Sequence, residues 1–167
     1  MRRKIMLGVL VAAITGAAVS VPLAASADRD HRLVIGVRVN FVSSTHAEGT
    51  FAACCAVNDN GAAQADITAF SVKNDDTGAF EAIETFSGSK GSFRLALRGT
   101  TGPLSSLRHV AHGHWSVLDG TGAYAGMKGE GKLTAVTDET DGALTAINDG
   151  EAQAVERSAE PREEEKQ

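Results

Sequence analysis

Residues 114–133, HWSVLDGTGAYAGMKGEGKL, decide the fold. Trp115 and Val117 alternate with polar neighbours, the period of two that belongs to a strand. Gly120 and Gly122 then permit a bend that a Cβ would obstruct, and Gly122 is expected to need a positive φ. Tyr124 is expected to fold back as an apolar plug with its hydroxyl near the rim. Gly129 and Gly131 let the returning strand bulge or approach a neighbour closely. The same glycines could be taken for a dinucleotide loop. A phosphate cradle needs a helix N-terminus directly after its glycines. Here Gly129 and Gly131 follow instead, and then another strand, so nucleotide binding is set aside.

The pattern extends outward on both sides. Leu33, Ile35, Val37, Val39 and Phe41 share one parity, with Arg32, Arg38 and Asn40 on the other. Phe93, Leu95 and Leu97 alternate with Arg94 and Arg98. Lys132, Thr134 and Val136 alternate with Leu133 and Ala135. Turn sequences rich in Asn, Asp and Gly separate these runs at residues 58–61, 73–78, 87–91 and 138–142. Short strands divided by such turns predict an antiparallel meander. About eight of them in roughly 120 residues suit a closed barrel or a sandwich.

Gly113, Trp115 and Val117, then Gly120-Thr121-Gly122 with Tyr124-Ala125-Gly126, then Gly129 and Gly131 form an ordered set. In that order the chain resembles the allene oxide cyclase barrel-like and dirigent-like families, as a small secreted bacterial member. The likeness covers roughly residues 31–150, including a strand at Gly49-Thr50-Phe51, a turn at Gly61 and a strand over residues 91–97. It implies an all-β fold, an antiparallel eight-stranded β-barrel. It also implies relatives that cyclise fatty-acid epoxides or orient phenoxy radicals, and that often form homo-oligomers through their barrel walls. No catalytic position of those families matches a residue of this chain.

The first segment is an address. Arg2, Arg3 and Lys4 precede a mostly apolar run, residues 5–19, and Ala25-Ser26-Ala27 offers the small-residue pattern of a cleavage site. The run is shorter than the roughly 20 residues of a spanning helix. The expected domains are therefore a signal peptide over 1–27, cleaved after Ala27, a barrel over 28–150, and a charged tail over 151–167. The whole chain carries a net charge of −5. Removing three basic residues makes the secreted chain more acidic still. Such a chain is repelled by nucleic-acid backbones and anionic membranes, so neither is expected as a partner.

The remaining chemistry is sparse. His112 and His114 share a strand face, with His109 on the other parity, and no compelling set of ligands surrounds them; no metal and no cofactor is expected. In Cys54-Cys55, strand alternation sends the thiols to opposite faces. Two free cysteines with one buried, a vicinal disulfide at a turn, and an intermolecular bridge all remain open. Glu81, Glu84, Asp75 and Asp76 are expected on solvated loops. No G-x-S-x-G context or EF-hand loop occurs.

Two functions follow. In the first, the barrel binds a small apolar or amphipathic molecule, with Leu33, Ile35, Val37, Phe93, Leu95, Leu97, Trp115, Tyr124 and Leu133 as lining. The competing structural expectation fills the lumen with those same side chains. In the second, a cyclase or dirigent-type protein holds a reactive substrate in one conformer. A void above roughly 300 Å³ separates a ligand site from a filled lumen.

Overall fold

In the computed structural model, residues 31–73 and 77–153 are described. The expected signal peptide, the acidic tail beyond Gln153, and Asp75 and Asp76 lie outside them. Eight strands follow one another: β1 Arg32–Phe41, β2 His46–Cys55, β3 Asp59–Val72, β4 Gly78–Gly88, β5 Gly91–Ser105, β6 Arg108–Gly120, β7 Lys128–Asp138 and β8 Ala143–Gln153. Each pairs antiparallel with the next, and β8 returns to β1, closing a barrel. Closure leaves no strand edge unpaired. β8 runs three residues past the expected boundary at 150, so Glu151 and Ala152 belong to the wall.

Connections alternate between the two ends. The hairpins β1–β2, β3–β4, β5–β6 and β7–β8 form one end, here the mouth. The other end carries the β2–β3, β4–β5 and β6–β7 connections. The last of these holds the only non-strand element among the described residues, a 3₁₀ turn at Gly122–Tyr124. Gly122 has φ +61°, as expected, and a Cβ there would stand 2.3 Å from the Lys90 carbonyl oxygen. Gly122→Val is expected to lower folding stability by about 1–3 kcal/mol. Urea unfolding measures it, and an unchanged midpoint would remove this turn from the determinants of the fold.

The 3₁₀ turn drops Tyr124 into the barrel end, 1% exposed, with its ring 4.7 Å from that of Phe93. Phe93 stacks on Phe86 at 4.8 Å, and Phe51 meets Phe86 edge-on at 5.1 Å. Such pairs contribute roughly 0.5–1.5 kcal/mol each beyond their burial. The Tyr124 hydroxyl donates to Asp59 Oδ2 at 2.7 Å. Asp59 also accepts from the Ser89 hydroxyl and from the amides of Asn60, Ser89 and Lys90. Tyr124 first, and these donors after it, hold the Asp59 carboxyl well below the usual carboxylate range. Residues 58–61 are therefore not simply the turn that the sequence predicts. The turn falls earlier, and Asp59 opens β3 as a buried anchor for the plug. Gly88 makes room for it, since a Cβ there would lie 2.2 Å from the carboxylate.

Candidate functional site

The interior divides in two along the barrel axis. Toward the plugged end, Leu33, Ile35, Leu95, Phe51, Phe86, Phe93, Met127 and Tyr124 fill the space. Toward the mouth six of the lining positions are alanines, Ala47, Ala65, Ala82, Ala111, Ala135 and Ala146, set among larger side chains such as Phe41, Phe80 and Leu144. Alanines opposite one another across a barrel leave room between them. The result is an apolar cavity of about 660 Å³ that opens past Ser43, Ser44 and Thr45. That volume lies within the range of small-molecule sites. The expectations of an open and of a filled lumen thus each hold for one half of the barrel.

The predicted lining residues separate accordingly. Leu97 and Leu133 line the cavity. Leu33, Ile35, Val37, Phe93, Leu95, Trp115 and Tyr124 are buried in the core but do not line the cavity. Trp115 faces inward, paired with the cavity-lining Leu97 on one side and Gly131 on the other. Its indole lies over Gly131 and Gly150; a Cβ on either would come within 2.6 or 2.7 Å of the ring. Gly131 therefore serves a close approach, with no bulge recorded on β7. The ring partner of Tyr124 is Phe93, whereas Trp115 has no ring pair among the described residues.

Besides Tyr124 and Asp59 at the plugged end, a second polar pair interrupts the apolar interior. Glu84 on β4 and Asn148 on β8 sit four strands apart in a barrel of eight, on opposite walls. Asn148 Nδ2 donates to Glu84 Oε2 at 2.7 Å, a crossbar through the lumen where the two halves meet. Glu84 lines the cavity; Asn148 lies behind it with no exposure. The cross-strand neighbours of Glu84 are Ala65 and Leu95, and no cation pairs with it among the described residues. Burial without a counter-charge pushes its carboxyl up to about 7, although the Asn148 bond pulls the other way. Asn148 Oδ1 is buried without a partner. That orphan acceptor favours the neutral acid, whose hydroxyl is a donor that the carboxylate lacks.

Glu84 corrects the expectation of a solvated loop carboxylate. Its own strand carried the signal: Phe80, Ala82, Glu84 and Phe86 share one parity. A single acid in an apolar row marks a polar group aimed at the core. Asn148 stands the same way among Leu144, Ala146 and Ala152.

The histidines do not converge. His112 and His114 are exposed on the outer wall. His109, on the other parity as expected, lines the mouth, where Nε2 lies 2.9 Å from Glu139 Oε1. The mouth is also ringed by exposed apolar side chains: Val42, Phe70, Val72, Leu104 and Leu107. Outside, Arg32 pairs with Asp149 at 3.0 Å, Arg94 with Asp119, and Arg108 with Asp138 at 2.9 Å. Exposed pairs of this kind contribute little to stability. No family model, no curated protein and no solved structure matches this chain.

Proposed function

We propose that this protein binds a small amphipathic molecule in the alanine-lined half of its barrel, with a polar group of the ligand seated on Glu84. The observation that carries this reading is a buried, protonatable Glu84 at the floor of a largely apolar cavity of about 660 Å³, whose other charged side chains, His109 and Glu139, pair with each other at the mouth. A ligand that buries about 200 Å² of apolar surface gains on the order of 5 kcal/mol. The floor then supplies direction: neutral Glu84 donates a hydrogen bond, and ionised Glu84 accepts one. The apolar rim around the mouth extends the same surface outward. The closed eight-stranded meander, and the order of residues 113–131, support placing the chain beside the allene oxide cyclase barrel-like and dirigent-like proteins. In this proposal the protein works outside the cell, from a chain beginning at Asp28, and its acidic charge disfavours nucleic acid and anionic membranes.

The test is to fill the cavity. N-phenyl-1-naphthylamine, a small apolar fluorophore, is expected to brighten with the wild-type protein and with Glu84→Gln. Ala135→Leu points an isobutyl group into the cavity from a wall that is 5% exposed. It is expected to abolish the fluorescence gain while shifting the thermal midpoint by no more than a few degrees, because the new side chain enters empty space. Undiminished fluorophore binding by a folded Ala135→Leu variant would overturn the assignment.

Glu84 also favours a second reading, a cyclase or dirigent-type guide. A carboxyl held near neutrality is available both to give and to take a proton. An enzyme of this kind would turn a racemic fatty-acid epoxide into an enantiomerically enriched cyclic product, with a rate that changes around pH 7 and is lost in Glu84→Gln. Binding without turnover leaves the first reading alone standing.

A further inference from the structure

β2 ends in two consecutive cysteines, and the strand does not treat them as a strand should. Regular alternation would turn Cys54 outward and Cys55, opposite Leu33, toward the core. Instead Cys55 adopts φ +83°, alone among the described non-glycine residues. A left-handed conformation at a residue with a Cβ costs roughly 1–2 kcal/mol. It brings the second side chain round to the first. Both cysteines are exposed, which removes the burial of one from the first of the three open alternatives. Their sulfurs stand 2.8 Å apart, nearer than the roughly 3.5–4.0 Å of ordinary contact between carbon atoms. The chain then leaves the ladder, with the Ala56 amide donating to the Arg32 carbonyl at 2.7 Å. The Arg32 guanidinium lies close enough for its charge to act on both sulfurs.

We propose that Cys54 and Cys55 form a vicinal dithiol–disulfide couple that exchanges with small-molecule disulfides. One cysteine thiolate attacks a sulfur of the external disulfide. That sulfur–sulfur bond breaks, and the departing thiolate takes up a proton. The neighbouring cysteine, once deprotonated, attacks the protein sulfur of the mixed disulfide and expels the second small thiol. The two cysteines are oxidised to one disulfide, and one external disulfide is reduced to two thiols. The geometry favours the second step over escape, because the resolving sulfur is already beside the first. The Cys55 sulfur, and burial after it, raise the Cys54 thiol above its ordinary value, and the charge of Arg32, itself paired with Asp149, offsets part of that rise. The couple lies on the outer wall at the plugged end, remote from the cavity, and is independent of what the cavity binds.

Oxidised glutathione is the probe. After incubation, the protein is expected to lose the mass of two hydrogens, to carry no glutathione, and to remain monomeric on a non-reducing gel. N-ethylmaleimide should label neither cysteine until a phosphine reductant is added, and both afterwards. Cys54→Ser and Cys55→Ser, each lacking the resolving thiol, should instead retain one glutathione. A trivalent arsenical, phenylarsine oxide, should bind the reduced protein one to one and lose that binding in either variant. A stable glutathione adduct on the wild type, a disulfide-linked dimer, or two maleimides added after oxidation would each overturn the proposal.

Discussion

Replacing Trp115 with alanine is expected to remove about 3–5 kcal/mol of folding stability, the range for deleting a large buried aromatic. The indole is 2% exposed and lies over two glycines. Nothing nearby is built to refill the space. Gly131 and Gly150 have no side chains to move, and their backbones are tied into the β7–β8 ladder. The cost should therefore lie toward the upper part of the range. The indole Nε1 is buried without a partner, which subtracts a little from what the ring contributes. Urea unfolding followed by far-ultraviolet circular dichroism measures the difference, since the variant has no tryptophan left. A loss below about 1 kcal/mol would mean that the barrel holds its shape without this ring.

The second large effect is a pH dependence. The Glu84 carboxyl titrates near pH 7 in the folded protein and near the ordinary glutamate value of about 4.3 when unfolded. Between these values the native state binds a proton that the unfolded state does not. Stability therefore falls as pH rises from about 4.3 through 7, and levels off above. The full loss is about 4 kcal/mol, on the order of 10 °C in thermal midpoint for a domain of this size. Glu84→Gln keeps an acceptor for Asn148 Nδ2 and adds a permanent donor for the orphaned Asn148 Oδ1. The variant should lie close to the wild type at pH 5 and be the more stable of the two at pH 8. His46, bracketed by Asp66 and Glu48, is raised as well and loses its contribution as pH rises. It is present in both proteins, so their difference isolates Glu84. Parallel midpoint curves from pH 5 to 8 would show that Glu84 does not titrate in that window.

Both effects arise inside a barrel whose existence was legible in the chain. Alternation in β1, in the first half of β5 and around Trp115 announced strands, because a strand's two faces meet different solvents. Gly122 announced its own conformation, because few other residues accept a positive φ. Parity grouped Trp115 with Gly113 and Val117, and the apolar character of that group, not parity itself, pointed Trp115 inward. The cavity did not. Leu33, Ile35 and Leu95 look like lining in the sequence as much as Leu97 and Leu133 do, and the lumen's emptiness depends on which strands face one another.

What the sequence by itself determined is local: the strand periods, the turn at Gly122 and the faces of the strongly alternating runs. Those depend on neighbours a few residues away. What only the tertiary structure decided is the meeting of residues far apart in the chain. Six alanines spread over β2 to β8 leave a void only because closure sets them around one axis. Glu84 and Asn148, 64 residues apart, become one hydrogen-bonded pair only because β4 and β8 stand on opposite walls. Tyr124 reaches Asp59 across 65 residues for the same reason. The Cys54–Cys55 contact is the opposite case, adjacent in sequence yet hidden from it. Alternation predicts that the two thiols diverge, and a single left-handed residue turns them together.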